Sequence, residues 1–196
     1  MLECYCWKGG RAMRIIAGEA RGTALKTLPG TDVTRPTVAR VKEGMFSAVQ
    51  FLLPGARVLD AFAGSGQLGL EALSRGAASC VFLDESRAAC AVVRENAAAA
   101  RLAAKARVLQ TSAGAYLAAC SDTFHLVLLD PPYHHGTVAA ILPAVAQVLA
   151  PGGVVLAETE RGAQLPDACG ALRLARQYRY GTVLVSKYTL CAGGGQ

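Results

Sequence analysis

The sequence predicts an α/β fold in which a mostly parallel β-sheet carries helices on both faces. Short apolar segments alternate with helical segments from residue 57 to residue 159, an order typical of parallel sheets. A glycine-rich turn follows the first of these strands, and two alternating segments near the C-terminus predict an antiparallel pair. The chain has 196 residues, 53% of them hydrophobic, so one domain can bury a sizeable core.

The N-terminal segment precedes this alternation. Residues 1–12 have no apolar periodicity and are expected to be an additional or disordered tail, with Met13 as the hypothetical physiological start. Two short segments joined through glycines predict a small hairpin over residues 14–28. A helix is expected to begin at an N-cap on Thr37 and to end before Pro54, because apolar residues recur between them at helical spacing.

The remaining elements follow from apolar patterning. Strands are expected at 57–62, 79–84, 106–110, 124–130 and 153–159. Helices are expected at 67–74, 86–101, 113–120 and 137–149. Residues 173–180 and 182–189 predict the closing antiparallel pair, and residues 191–196 are expected to be a flexible tail.

Positive charge is concentrated near the N-terminus. Residues 1–57 hold nine basic and four acidic side chains, whereas the rest of the chain holds eleven and ten. Such clustering suggests a polyanionic partner, most commonly nucleic acid, although a solvated basic surface is the plainer alternative. The candidate phosphate contacts are Arg14, Arg21, Lys26, Arg35, Arg40 and Lys42.

Cysteine usage and hydropathy indicate in which cellular compartment the protein is expected. The seven cysteines are scattered and include no CxxC pair, which excludes a disulfide framework and argues against a zinc site. Free thiols in this number suit a reducing cytosol, so a cytoplasmic protein is expected. The uncharged residues 138–157 are interrupted by Pro143, Pro151 and a Gly-Gly pair, which argues against a membrane span.

The glycine-rich turn predicts a nucleotide-type cofactor. It comprises Asp60-Ala-Phe-Ala-Gly-Ser-Gly66 and Gly69, placed after a strand and before a helix. The glycines are expected to allow a sharp turn and a close approach of the cofactor. Asp60 would repel a pyrophosphate but suits a ligand with an ammonium group, which favours S-adenosylmethionine over NAD.

The acid that ends the next strand is a candidate ribose ligand. Asp84 lies 18 residues after Gly66 and can accept hydrogen bonds from both ribose hydroxyls. Glu85 is the competing candidate, and either acid could instead favour the start of the next helix.

The most specific motif is Asp130-Pro131-Pro132-Tyr133, at the end of a predicted strand. Two prolines stiffen the backbone and remove two N–H donors, which leaves a carboxylate and carbonyls that only accept. Such acceptors suit an exocyclic NH₂ group, and Tyr133 can stack on a planar base. A rigid loop without chemistry is the alternative.

These residues together resemble a known family. The two motifs resemble those of S-adenosylmethionine-dependent amino-methyltransferases acting on nucleobase NH₂ groups. More narrowly, the sequence is similar to the RsmD-like 16S ribosomal RNA guanine-N2 methyltransferases. That similarity is carried by residues 13–18, 21–22, 34–37, 40–43, 62–76, 130–133, 180–181 and 186–188.

The resemblance implies a Rossmann-like class I methyltransferase with a seven-stranded sheet, mostly parallel, and an antiparallel C-terminal strand. Residues 13–54 are expected to form an RNA-binding appendage, and residues 55–190 the methyltransferase domain. Methyl transfer would be in line, to N2 of one guanine in 16S ribosomal RNA. The RNA is expected within a 30S particle or an assembly intermediate, and the enzyme is expected to be a monomer.

The resemblance also assigns roles to individual residues. The catalytic residues are Asp130, Pro131, Pro132 and Tyr133. The cofactor-binding residues are Asp60, Phe62, Ala63, Gly64, Ser65, Gly66, Asp84, Ser112, Ala113 and Asp130. Two positions depart from the family, which usually has glutamate at Asp84 and Asp or Asn at Ser112.

Other residues and functions stay open at this stage. A metal role for His125, His134 and His135 is not expected, Glu71 is expected to be structural, and Glu158 is a candidate for positioning substrate. The alternatives are a methyltransferase for another nucleobase amine (adenine N6 in DNA or another ribosomal guanine), an NAD-dependent oxidoreductase, and a non-catalytic ribosome-assembly protein that binds RNA.

Overall fold

The computed structural model describes residues 13–28, 36–132 and 136–191, without the side chains of residues 36–38. The helices are α1 (Pro36–Ser47), α2 (Gln67–Ser74), α3 (Arg87–Ala99), α4 (Ala113–Ala119) and α5 (Thr137–Val148), with a 3₁₀ turn at Ala103–Lys105. The strands are β1 (Arg57–Asp60), β2 (Ser79–Asp84), β3 (Ala106–Gln110), β4 (Phe124–Leu129), β5 (Leu149–Glu160), β6 (Ala168–Cys169), β7 (Leu172–Tyr180) and β8 (Val183–Leu190).

The strands form one sheet in the order β3-β2-β1-β4-β5-β8-β7-β6. The first five in this order are parallel, and β8, β7 and β6 each pair antiparallel with their neighbour. The predicted fold class is confirmed. The sheet has one strand more than expected, the two-residue β6, and β5 begins four residues earlier than the apolar pattern indicated.

Helix α1 differs from the prediction at both ends. It begins at Pro36, so Thr37 lies inside the helix and is not the N-cap. Proline suits the first turn because that turn needs no N–H from it. The helix ends at Ser47, earlier than predicted. The apolar residues that follow lie in tighter turns, in which the Val49 N–H donates to the Phe46 carbonyl and the Leu52 N–H donates to the Val49 carbonyl.

The expected hairpin over residues 14–28 is reduced to one antiparallel bridge, between Arg14 and Ala24. Beside this bridge, the Ile15 N–H donates to the Thr23 carbonyl at 3.1 Å. The Gly22 N–H donates to the Ile15 carbonyl at 2.9 Å, and the Leu25 N–H donates to the Met13 carbonyl at 2.8 Å. The paired segment also packs on α2, where the Ala20 N–H donates to Ser74 Oγ at 3.0 Å.

The core lies on both faces of the sheet. On one face, residues of the N-terminal segment such as Ile15, Met45 and Phe46 pack in the same cluster as residues of β1, β2, α2 and α3. On the other face, α4 and α5 cover β4, β5 and β8. The N-terminal segment thus shares its core with the sheet, and the domain division at residue 54 stays a prediction.

The parallel strands bring their carboxyl ends to one edge of the sheet. Asp60 and Asp84 end β1 and β2, and Asp130 directly follows β4. Strand order reverses between β1 and β4, the position at which open α/β sheets bind ligands. Among the described residues, no helix combines the length and apolarity needed to cross a membrane.

Candidate active site

A cavity of about 700 Å³ lies at the carboxyl edge, at this reversal of strand order. Loops after β1, β2, β3 and β4 form its walls together with the start of α5. Its lining residues are Ala61, Phe62, Gly64, Asp84, Glu85, Thr111, Ser112, Ala113, Gly114, Asp130, Pro131, Pro132, Thr137, Ala140 and Ile141. The ends of four strands therefore bring six of the predicted cofactor residues to one cavity: Phe62, Gly64, Asp84, Ser112, Ala113 and Asp130.

The glycines of the turn have two different roles. Gly64 and Gly66 have φ of 52° and 79°, the left-handed region that favours glycine. Gly64 lines the cavity, and a Cβ there would meet no protein atom within 4 Å. Gly69 lies in α2, where a Cβ would come within 2.3 Å of the Phe82 ring. Gly69 therefore serves close packing of α2 on the sheet and not the approach of a cofactor.

The Asp84 carboxylate holds the glycine turn in place. Its Oδ2 accepts the Gly64 N–H at 2.9 Å, and its Oδ1 accepts the Ser86 N–H at 2.8 Å. Each carboxylate oxygen has a second lone pair for a further donor, so ribose hydroxyls can still bind. Glu85 is exposed and also lines the cavity. Both acids thus remain candidates.

Asp60 is buried behind the turn and does not line the cavity. Its Oδ2 accepts the Gly69 N–H in the first turn of α2 at 2.9 Å, an arrangement that also suits the helix dipole. Its Oδ1 makes no hydrogen bond to the described residues. Burial raises the pKa of Asp60 to about 7; the N–H groups of Gly69 and Phe62 lower it, and nearby Asp130 raises it.

Asp130 lies beside Asp60, because β4 and β1 are neighbours in the sheet. Burial raises the pKa of Asp130 to about 6. Pro131 is buried and Pro132 is exposed at the cavity wall. Tyr133, His134 and His135 lie outside the described residues, so the predicted stacking of Tyr133 stays a prediction.

A second cavity of about 430 Å³ lies on the other side of Pro131 and Pro132. Pro131, Pro132 and Thr137 line both cavities. The second cavity is also lined by Glu158, Thr159 and Glu160 at the end of β5, and by residues 162–165. Pro131 and Pro132 therefore separate two spaces that are each large enough for a small planar ligand.

Two predicted cofactor residues, Ser112 and Ala113, lie at the start of α4. Ser112 is the N-cap of α4, and its hydroxyl oxygen accepts the Ala115 N–H at 3.1 Å. Ser112 and Ala113 both line the first cavity. The Ser112 side chain is thus already used by the helix.

Three other predicted cofactor residues support the turn from behind. Ala63, Ser65 and Gly66 do not line the cavity. The Ala63 N–H donates to the Leu83 carbonyl at 2.8 Å, and the Gly66 N–H donates to the Ala63 carbonyl at 2.6 Å. The Ser65 carbonyl accepts a hydrogen bond from Asn96 Nδ2 at 2.8 Å.

The predicted RNA-binding residues divide into three groups. Arg14, Arg21, Lys26 and Arg40 are exposed. Arg35 lies outside the described residues. Lys42 needs correction: it is 3% exposed, and its ammonium donates to the Arg14 carbonyl at 2.7 Å and pairs with Glu71 at 3.2 Å. A lysine buried in this way cannot reach phosphate, because it already neutralises a buried carboxylate.

Sequence reasoning missed the importance of Asn96. Its Oδ1 accepts the Lys26 N–H at 2.8 Å, and its Nδ2 donates to the Lys26 carbonyl at 3.0 Å as well as to Ser65. It therefore joins the N-terminal segment to the glycine turn. The available signal was a polar side chain on the apolar face of an alanine-rich helix.

His125, the histidine among the described residues, has a structural role. His125 Nδ1 accepts the Arg57 N–H at 3.0 Å at the amino edge of the sheet, away from the cavities. Among the described residues, no cluster of His, Cys, Asp or Glu could hold a metal ion.

The fold and the site define a Rossmann-like methyltransferase. The chain belongs to the family described as Conserved hypothetical protein 95, whose model matches residues 13–189. This confirms the predicted RsmD-like family, which uses S-adenosylmethionine as its cofactor.

Individual relatives agree with this assignment. The chain is 39% identical over 181 residues to YlbH of Bacillus subtilis, provisionally named an rRNA methyltransferase, covering 90% of this chain and 98% of that protein. It is 34% identical over 188 residues to Ribosomal RNA small subunit methyltransferase D of Escherichia coli K12, covering 95% and 94%. The solved structure of yhhF from Escherichia coli, provisionally named a methyltransferase, superposes with a TM-score of 0.78 at 34% identity, covering 90% and 97%.

Proposed function

We propose that this protein transfers the methyl group of S-adenosylmethionine to the exocyclic N2 of one guanine in small-subunit ribosomal RNA. The family and the names of its relatives support methyl transfer to ribosomal RNA. One observation carries the finer proposal: Pro131 and Pro132 line both the cavity beside the glycine turn and a second cavity, and Asp130, directly before them, lines the first.

The first cavity fits the cofactor. Its volume lies within the range of small-molecule sites, and Gly64 leaves open space where a side chain would project. Asp84 or Glu85 would accept hydrogen bonds from the ribose hydroxyls, and the backbone at Ser112 and Ala113 would flank the adenine. S-adenosylmethionine, when bound, supplies a methyl group on a positively charged sulfur, and transfer in line to the amine nitrogen is the expected reaction.

The acceptors at the boundary suit an aromatic amine. An Asp130 carboxylate oxygen and the Pro131 carbonyl would accept the two amine hydrogens, and neither proline has an N–H to compete. Acceptors in this position stabilise the positive charge that develops on the nitrogen during transfer. Asp130 stabilises this charge fully only when ionised, because a protonated carboxyl has lost its negative charge and one of its acceptor oxygens has become a donor.

The second cavity suits guanine better than adenine. Glu158 and Glu160 line it, and a carboxylate accepts hydrogen bonds from the N1–H of guanine, where adenine presents an acceptor. The target must leave its stack or lie in a loop to reach this cavity. Holding nitrogen and methyl in a reactive arrangement can contribute roughly 7–11 kcal/mol, which makes positioning the main expected contribution.

The proposal is tested by tritium-methyl transfer to naked 16S RNA, assembled 30S particles and duplex DNA, followed by nucleoside analysis. We expect N2-methylguanosine from one of the two ribosomal substrates and no product with DNA. Asp130→Ala should lose transfer at least 100-fold, because electrostatic acceptors of this kind contribute on the order of 10²–10³ in rate. The matched control is Asp122→Ala, an exposed acid that lies before β4 at the opposite edge.

Methylated adenine from DNA would instead support the adenine-N6 alternative. RNA binding without any methyl transfer would support the non-catalytic alternative. Binding of NAD in preference to S-adenosylhomocysteine, measured by thermal shift, would support the oxidoreductase.

A further inference from the structure

A third cavity lies next to the second one, so the three cavities form a row along the carboxyl edge of the sheet. It has a volume of about 380 Å³ and shares Ala163, Gln164 and Leu165 with the second cavity. Its polar lining includes Arg161, Gln177 and Arg179. Since the first and second cavities share Pro131 and Pro132, the row leads from the expected methyl donor past the expected base to two arginines.

The strand register places both arginines at the same edge. Arg161 directly follows β5, and Arg179 pairs with Leu184, which pairs in turn with Thr159 near the end of β5. Both side chains are exposed, and neither is paired with a carboxylate among the described residues. Asp167 also lines the cavity, so the three charged side chains there leave one net positive charge.

The wall between the second and third cavities is held in place by the protein itself. The Arg161 N–H donates to the Thr182 carbonyl at 2.8 Å, and the Leu174 N–H donates to the Asp167 carbonyl at 2.8 Å. Between these anchors, Tyr188 Oη donates to the Pro166 carbonyl at 2.8 Å. A polyanion would therefore meet a preformed surface, which lowers the entropy that binding costs.

The local sequence is basic around this surface. Residues 161–191 contain five basic side chains and one acidic side chain, Asp167. The concentration of charge near the N-terminus, which the sequence pattern emphasised, is thus matched by a smaller one on the C-terminal strands. Arginine favours phosphate in particular, because its planar donors match two phosphate oxygens.

We propose that Arg161 and Arg179 hold the phosphates of the RNA strand that flanks the target guanine. This inference rests on the proposed function, because it assigns the RNA path relative to the base cavity. RNA is favoured over an acidic protein since the third cavity adjoins the space expected to receive a nucleobase and shares three lining residues with it. The two arginines position the strand and do not take part in methyl transfer.

The test compares the double variant Arg161→Gln/Arg179→Gln with the matched control Arg101→Gln/Arg107→Gln. The control removes the same charge from exposed arginines at the end of α3 and the start of β3, at the opposite edge. We measure the affinity for the ribosomal substrate against salt concentration, KM and kcat for methyl transfer, and the affinity for S-adenosylhomocysteine.

The expected result is a smaller salt dependence in the double variant, by about 0.7 in the logarithmic slope for each lost contact with single-stranded RNA. KM for RNA should rise roughly tenfold while kcat and S-adenosylhomocysteine affinity stay at wild-type values. The control double variant should keep the wild-type slope.

Active wild-type enzyme with an unchanged slope and KM in the double variant would overturn this inference and leave the proposed function standing. An unchanged RNA slope with lost binding of poly-glutamate would assign the surface to an acidic protein and also overturn it. Failure of the wild-type protein to methylate any ribosomal substrate would overturn both proposals.

Discussion

Lys42 and Glu71 form a buried ion pair, with Lys42 Nζ 3.2 Å from Glu71 Oε2 and the two side chains 4% and 0% exposed. Glu71 also accepts the backbone N–H groups of Ile16 and Ala17 and pairs with Arg75. Burial lowers the pKa of Lys42, and the Glu71 charge opposes that change. One carboxylate on α2 therefore joins α1 to Ile16 and Ala17, as expected of a structural Glu71.

Removing one member of this pair should destabilise the fold. Lys42→Met leaves the Glu71 carboxylate with one partner fewer, and breaking a buried pair costs about 3–5 kcal/mol. Denaturant unfolding measures the loss. Arg40→Met is the control, because Arg40 is exposed and a surface change of this kind stays within about 0.5 kcal/mol. Equal stability of the two variants would contradict the burial of Lys42.

Asn96 should couple the N-terminal segment to the cofactor site. Asn96→Asp keeps the side-chain size but turns a carboxylate oxygen toward the carbonyls of Lys26 and Ser65, which now accept from its amide. We expect lower stability by about 1–3 kcal/mol and weaker binding of S-adenosylhomocysteine by calorimetry. Glu95→Gln is the control, since it removes only an exposed ion pair with Lys26. Unchanged cofactor affinity in Asn96→Asp would show that the turn does not depend on this residue.

The two glycine roles predict separable defects. Gly69→Ala should lower the free energy of unfolding by about 1–3 kcal/mol, because its Cβ meets the Phe82 ring and Cys80 Sγ. Gly64→Ala should chiefly weaken S-adenosylhomocysteine binding, since its Cβ enters the cavity at a backbone φ of 52°. Unfolding and calorimetric titrations of both variants measure the difference. Identical defects would contradict the assignment.

Asp60 should make stability depend on pH. Its pKa is raised to about 7 in the fold, so the folded state holds a proton that the unfolded chain releases near pH 4. The stabilisation is complete below pH 4 and is lost as the pH rises through 7. Asp60→Asn should therefore gain stability relative to wild type between pH 4 and 7, as measured by urea unfolding. A constant difference across this range would contradict the raised pKa.

Methyl transfer should fail in acid for a related reason. Burial raises the pKa of Asp130 to about 6, and only its ionised form carries the negative charge that stabilises the developing charge on the amine. We expect kcat/KM to fall about tenfold per pH unit below 6 and to level off above it. Asp130→Asn should lose this acid limb together with most of the activity, whereas Asp60→Asn should keep it. An acid limb retained in Asp130→Asn would assign it to another group.

The sequence predicted the elements of the sheet well, because alternation of apolar segments and helical periodicity are local signals. The family resemblance assigned Asp84, Ser112 and Asp130 to one cofactor site, and all three line one cavity because parallel strands end at one edge. The sequence could not predict that Lys42 is buried, because the partner carboxylate on Glu71 belongs to a different element. Nor could it show that Asp60 lies behind the glycine turn, since that depends on how α2 packs against the sheet.

The central claim is that Asp130 and Pro131 hold a guanine amine before the methyl donor. It is tested most directly by mapping N2-methylguanosine in small-subunit ribosomal RNA from a deletion strain of the source organism, complemented with wild-type or Asp130→Ala protein. The account predicts one guanine that is methylated with the wild-type protein and unmethylated in the deletion strain and with the variant. A map of N2-methylguanosine in the deletion strain that is identical to that of the wild-type strain, or restored methylation by Asp130→Ala, would contradict it.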